Sequence, residues 1–136
     1  MRPAKASCHH RQMAMMKVLS DAQVVREEPA LIAAACLLHG FSDRSRLAIV
    51  QHLALGEHRV VDLTAHLGLA QSTVSKHCAC LLDCGVLKVR PQGRSSVYSL
   101  AHPEATMALL AAAERLLALT GDAVVLCPNH GAGATQ

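Results

Sequence analysis

The sequence predicts one mainly α-helical domain with a single small β-hairpin. Three observations lead there. Leu, Ala and Val recur at helical spacing along most of the chain, two of the helical patterns are short and joined by a tight turn containing Gly68, and the period changes to two only between Val86 and Leu100. A length of 136 residues suits one modest core. That core is aliphatic, because Phe41 and Tyr98 are the chain's whole complement of Phe, Tyr and Trp. So few rings exclude stacking-based recognition of RNA or single strands.

Residues 1–20 carry Arg2, Lys5, Arg11 and Lys17 with no acid, and read as a basic flexible arm bearing Cys8, His9 and His10. Glu27, Glu28 and Pro29 open a first helix through residues 30–39, with Gly40 as its stop. Its Ala- and Leu-rich surface suits burial against another subunit. Ser42 is placed to cap a second helix beginning at Asp43, whose apolar positions are Leu47, Ile49, Val50, Leu53 and Leu55. Val60, Val61, Leu63 and Leu67 form the inner face of a third, closed by Gly68. Leu69 and Ala70 separate it from a fourth over residues 71–84, and this pair is a helix-turn-helix.

Beyond Gly85, residues 86–90 and 95–100 alternate as two strands, with the turn expected at Pro91, Gln92, Gly93 and Arg94. Pro103 and Glu104 open a last helix ending near Thr120 and Gly121. Its stripe of Met107, Leu109, Leu110, Leu116, Leu117 and Leu119 is wider than one small domain covers, so the N- and C-terminal helices are expected to form a homodimer. The plan is an arm over 1–20, a DNA-binding and dimerisation domain over 21–121, and a tail over 122–136 that stays mobile unless a ligand fixes it.

A helix-turn-helix followed directly by a hairpin is a winged helix. The formal charge of +3 is too small for nonspecific polyanion binding, so contact with nucleic acid must come from local clusters. On a helical wheel Ser72, Ser75, Ala79 and Asp83 fall on the side of Lys76, opposite Val74, His77, Leu81 and Cys84. Small hydroxyls and one Lys suit the grooves and phosphates of double-stranded DNA, and Arg94 at the hairpin tip suits its backbone or minor groove. No apolar run reaches the roughly 20 residues of a membrane span, which places the chain in the cytoplasm with reduced thiols. Six Cys and nine His are therefore read as metal ligands or redox groups before disulfides. With no Gly-rich phosphate loop, zincin pattern or paired acids, neither an enzyme nor a small organic substrate is expected.

Residues 41–50 (FSDRSRLAIV), 61–77 (VDLTAHLGLAQSTVSKH), 82–87 (LDCGVL) and 93–100 (GRSSVYSL) resemble the ArsR/SmtB family of dimeric winged-helix repressors, which leave their operators when metal binds. The likeness spans about residues 30–120 and adds Gln71 and Thr73 to the DNA-reading set. Ala70 departs from it, standing where the family commonly has Ser, so the helix cap comes from Ser72 or is weaker by about 1 kcal/mol.

Family metal sites lie at different places. The Cys-Val-Cys of arsenic sensors is replaced here by Arg59, Val60 and Val61, and the last-helix site of zinc and cobalt sensors is incomplete, with His102, Glu104 and Glu114 but Arg115 and Ala118 where later ligands belong. Cys80 and Cys84 stand i, i+4 on one helical face, close enough to share an ion. Cys78 lies about 200° round from Cys80. The pair resembles the two helix thiols of the CmtR-type cadmium/lead sensors, and that resemblance makes Cys127 the third ligand, from its own chain or from the partner subunit. Three thiolates favour Cd²⁺ or Pb²⁺, while His130 or His10 as a fourth ligand would suit Zn²⁺, and Cys8 is a further reserve. The same wheel also turns Cys80 and Cys84 toward the core, where Cys serves as a small hydrophobe. Cys36 is assigned to packing, His77 to orienting its helix, and His52, His58 and His66 to solvent. The expected protein is a metal-responsive repressor. A thiol-redox repressor on the same fold, or a metal-binding dimer that does not bind DNA, are the competing readings.

Overall fold

The structure, a computed structural model, describes residues 28–127. Five helices and three strands follow in the order α1 (Glu28–Gly40), α2 (Arg44–Ala54), β1 (His58–Arg59), α3 (Val60–Leu67), α4 (Gln71–Asp83), β2 (Leu87–Gln92), β3 (Ser95–Leu100) and α5 (Pro103–Thr120). The expected mainly helical winged helix-turn-helix is what forms. Cys8, His10 and His130 lie outside the described residues, as does the basic arm.

The core gathers where the amphipathic faces meet. Ile49, Val50 and Leu53 of α2, Leu63 of α3, and Val74, Cys78 and Leu81 of α4 pack with Val86, Leu87, Leu100, Leu110 and Cys127. Burial of these aliphatic side chains is the main force fixing the angle between α3 and α4. Along β3, Val97 and Leu100 are buried, while β2 is buried at Leu87 alone and stands out into solvent as the wing.

Four local expectations are corrected. Asp43, not Ser42, caps α2, its carboxylate accepting from the Ser45 and Arg46 backbone N–H groups at 2.8 and 3.1 Å. The Ser42 hydroxyl instead donates to the His39 carbonyl at 2.8 Å. Pro91 and Gln92 belong to β2 rather than to the turn, because the register pairs Pro91 with Ser96 and Gln92 with Ser95. Proline, which has no N–H to give, is tolerated there because β2 is an edge strand in the order β1-β3-β2. The turn is therefore Gly93 and Arg94 alone, and Gly93 sits at φ +60°, as tight two-residue hairpins require.

A short strand that the sequence did not announce, β1, pairs with β3 through His58 opposite Tyr98 and Arg59 opposite Val97. Two residues are too few for a periodic signal. Finally, residues 122–127 are held by protein groups rather than waiting for a ligand. Glu114 accepts from the Leu126 and Cys127 backbone N–H groups, and Gln51 donates to the Leu126 carbonyl at 2.8 Å.

Candidate nucleic-acid interface and thiol sites

Val74, Cys78 and Leu81 are fully buried, which leaves Gln71, Ser72, Ser75, Lys76 and Ala79 exposed on the other side of α4, with Thr73 half-buried at the edge. Ala70 stands at the N-cap with no side-chain hydrogen bond, so the first-turn N–H groups lack the usual partner. The helix is steadied from α2 instead. His77 Nδ1 lies 3.9 Å from Asp43 Oδ1 and 3.5 Å from Arg46 Nη1. The Arg46 backbone N–H, more than any other group, holds the Asp43 carboxyl below its ordinary range. Arg46 also donates to the Gly40 and His39 carbonyls at 2.9 and 2.8 Å, so one guanidinium closes α1 and braces α4.

On the wing, Lys88 and Arg94 are exposed. Arg90 is engaged by Glu57, whose carboxyl that guanidinium holds low. The exposed edge of α4 and the Arg94 tip are thus separate presentations of donors from one domain, of a chemistry suited to a major groove and its flanking backbone.

Residues 43–89, from the cap of α2 into the wing, match the model for bacterial regulatory proteins of the arsR family. The chain is 33% identical over 94 residues to the "Probable mercury resistance operon repressor" of Streptomyces lividans, covering 68% of this chain and 73% of that one. It is 33% identical over 101 residues to the HTH-type transcriptional regulator CmtR of Mycobacterium tuberculosis, covering 74% of this chain and 86% of that one. The homodimeric winged helix-turn-helix DNA-binding domain of a Mycobacterium bovis protein superposes with a TM-score of 0.57 at 25% identity, covering 74% of this chain and 85% of that one. The chain belongs to the ArsR family. It is accordingly a transcriptional regulator of a DNA-binding family and not an enzyme. Among its described residues no helix is long and apolar enough to cross a membrane.

Within this ArsR-family domain the thiols separate into three environments. Cys78 lies in the core under α4 with no exposed surface, and burial pushes its thiol up to about 11. Cys80 and Cys84 are half-buried. Cys84 is the C-cap of α4, and its Sγ lies 3.8 Å from Cys36 Sγ while donating to the Cys36 carbonyl at 3.0 Å. Gly40 allows this approach, since a Cβ there would stand 3.3 Å from Cys84 Sγ. Gly40 is thus the last residue of α1 and also the space that α4 enters.

Cys127 enters the same core from the segment that follows α5. It is 2% exposed, its Sγ is 3.6 Å from the Met107 carbonyl, and burial, with Glu114 adding to it, raises its thiol. Among the described residues of one protomer no three Cys, His, Asp or Glu side chains already converge on a common point. Cys36 is buried, as its packing assignment expects, but its contact with Cys84 was not foreseen, nor were the roles of Glu114, read as part of an incomplete last-helix site, and of Gln51, which seat Cys127. Their partners are 48, 13 and 75 residues away along the chain, a separation that no local pattern reports.

Proposed function

We propose that this ArsR-family protein is a homodimeric repressor that binds operator DNA in its metal-free state and leaves it when a soft heavy-metal ion reaches Cys80, Cys84 and Cys127. The observation that carries this reading is that one helix, α4, holds both sets of groups. Its N-terminal half exposes Gln71, Ser72, Ser75 and Lys76, with Thr73 beside them, and its C-terminal end holds Cys80 and Cys84 half-buried. Two such helices in a dimer would enter successive major grooves of double-stranded DNA, with Arg94 on the flanking backbone. The protein would act in the cytoplasm, where thiols stay reduced.

The donor chemistry fits the effector. Three thiolates suit Cd²⁺ or Pb²⁺, and a nitrogen ligand from His130 or His10, or a further thiolate from Cys8, would extend the set toward Zn²⁺. A soft divalent ion would supply a cross-link among deprotonated thiols. What the chain must do is release Cys127 from its seat, giving up the two Glu114 hydrogen bonds and the contact with Met107, so that it meets the α4 pair of the partner subunit. The seated tail and the tail joined to α4 are then two states, and differential affinity for them lowers affinity for DNA by a coupling of about 1–3 kcal/mol. Exposed Leu31, Leu37 and Leu38 on α1 and Leu116 and Leu119 on α5 support dimerisation through those helices.

A mobility-shift titration on the promoter upstream of the protein's own gene tests the reading. Cd²⁺ or Pb²⁺ should release the wild-type protein, and Cys80→Ser, Cys84→Ser and Cys127→Ser should each stay bound. Release that persists unchanged in all three variants removes the site.

The 3.8 Å approach of Cys36 to Cys84 favours one second reading, a thiol-redox repressor. On that reading a hydroperoxide, without added metal, causes release.

A further inference from the structure

Three histidines that the sequence scatters over three elements come together in space. His52 lies in the last turn of α2, His58 opens β1 and His66 lies in the last turn of α3. The ring centroids of His52 and His66 are 5.0 Å apart, those of His58 and His66 5.6 Å, and those of His52 and His58 6.4 Å. The fold brings them there because Leu53, beside His52, and Leu63, one turn before His66, are both buried in the core. His58 is carried in by its pairing with Tyr98 on β3. His66 is exposed and the other two are half-buried, so the cluster is open to solvent.

We propose that His52, His58 and His66 form a second metal site, taking a borderline divalent ion such as Zn²⁺, Co²⁺ or Ni²⁺ through three imidazole nitrogens and independent of the cysteine thiolates. Around a tetrahedral ion with metal–nitrogen bonds of 2.0–2.1 Å, three imidazole centroids stand about 5 Å from one another. The observed separations of 5.0, 5.6 and 6.4 Å start at that distance and run somewhat beyond it. One imidazole already has its tautomer set. His58 Nδ1 lies 2.9 Å from the Gly56 carbonyl, a contact that places the proton on Nδ1 and leaves Nε2 with a lone pair. The remaining adjustment is rotational. His52 and His66 stack with an interplanar angle of 21°, side by side rather than aimed at one point. Turning them inward draws on the side-chain torsions of half-buried or exposed rings, with the broad χ2 profile of histidine. Nitrogen ligands of this kind suit Zn²⁺, Co²⁺ and Ni²⁺, whereas Cd²⁺ and Pb²⁺ prefer the sulfur ligands elsewhere in the chain. An ion held there joins the end of α2, β1 and the end of α3, the first helix of the helix-turn-helix.

Titration of the full-length reduced protein with Co²⁺, read by visible absorption, tests this directly. Cys80→Ser/Cys84→Ser protein should retain one Co²⁺ per protomer with ligand-field bands and no thiolate-to-metal charge transfer. His66→Ala, at an exposed position that leaves the fold intact, should bind Co²⁺ at that site at least tenfold more weakly. Zn²⁺ added to ¹⁵N-labelled protein should shift the Nε2 resonances of His52, His58 and His66 together. Co²⁺ affinity unchanged in His66→Ala, or ligand-field bands that disappear with Cys80 and Cys84, overturns the proposal while leaving the thiolate reading intact.

Discussion

Cys84 Sγ stands 3.8 Å from Cys36 Sγ, joining the C-cap of α4 to α1. A disulfide needs about 2.05 Å, so oxidation draws the two sulfurs together by roughly 1.8 Å. A hydroperoxide would convert one thiol to a sulfenic acid, leaving as water or alcohol, and the second thiol would then expel water as the S–S bond forms. Peroxide-treated protein should lose two hydrogens per protomer by intact mass, with the Cys36–Cys84 peptide pair found under non-reducing conditions and absent in Cys36→Ser. Failure to find that pair removes the redox reading.

Lys76 is exposed on α4 and Arg94 at the wing tip. If each neutralises a phosphate, Lys76→Ala and Arg94→Ala should each weaken operator binding across sequences. Each should also flatten the plot of log K against log salt by about 1. Fluorescence anisotropy at several salt concentrations measures both quantities.

Cys78 fills the core under α4, and burial raises its thiol from 9.0 to about 11. The folded state therefore keeps the Cys78 proton to higher pH than the unfolded chain does. Its contribution to stability is complete below pH 9 and is lost as pH rises through about 11. Urea unfolding across that window should show the decline, and Cys78→Ala should flatten it while costing about 1 kcal/mol in lost packing below pH 9. In the folded protein iodoacetamide should label Cys80 well before Cys78.

Leu119 and Leu116 are 85% and 64% exposed on α5. Leu116→Glu/Leu119→Glu should shift sedimentation to the monomer without loss of helical circular dichroism. Operator affinity should fall with it, because two half-sites then bind independently. A double variant that still sediments as a dimer places the subunit interface elsewhere.

Much of the fold was legible in the residues because its signals are local. Helical spacing and Gly68 define α3 and its stop, the change of period marks the wing, and Gly93 marks its turn. The exposed face of α4 followed from a wheel, since a buried stripe of Val74 and Leu81 leaves Ser72, Ser75 and Lys76 outward. The misreadings came where two local groups compete for one role. Asp43 and Ser42 could each cap α2, and the fold uses the carboxylate for the cap and the hydroxyl for the His39 carbonyl. Pro91 reads as a turn former until the strand order shows that it lies on an edge.

The sequence by itself determined an aliphatic winged helix with a polar, exposed face on its fourth helix and a supply of thiols, because helix period and strand period are properties of neighbouring residues. Only the tertiary structure decided which thiols and imidazoles meet. Burial of Leu53 and Leu63 brings His52 to His66, the absence of a side chain at Gly40 admits Cys84 to Cys36, and Glu114 draws Cys127 into the core. Each meeting joins groups well apart in the chain, and it is packing in three dimensions that sets their distance.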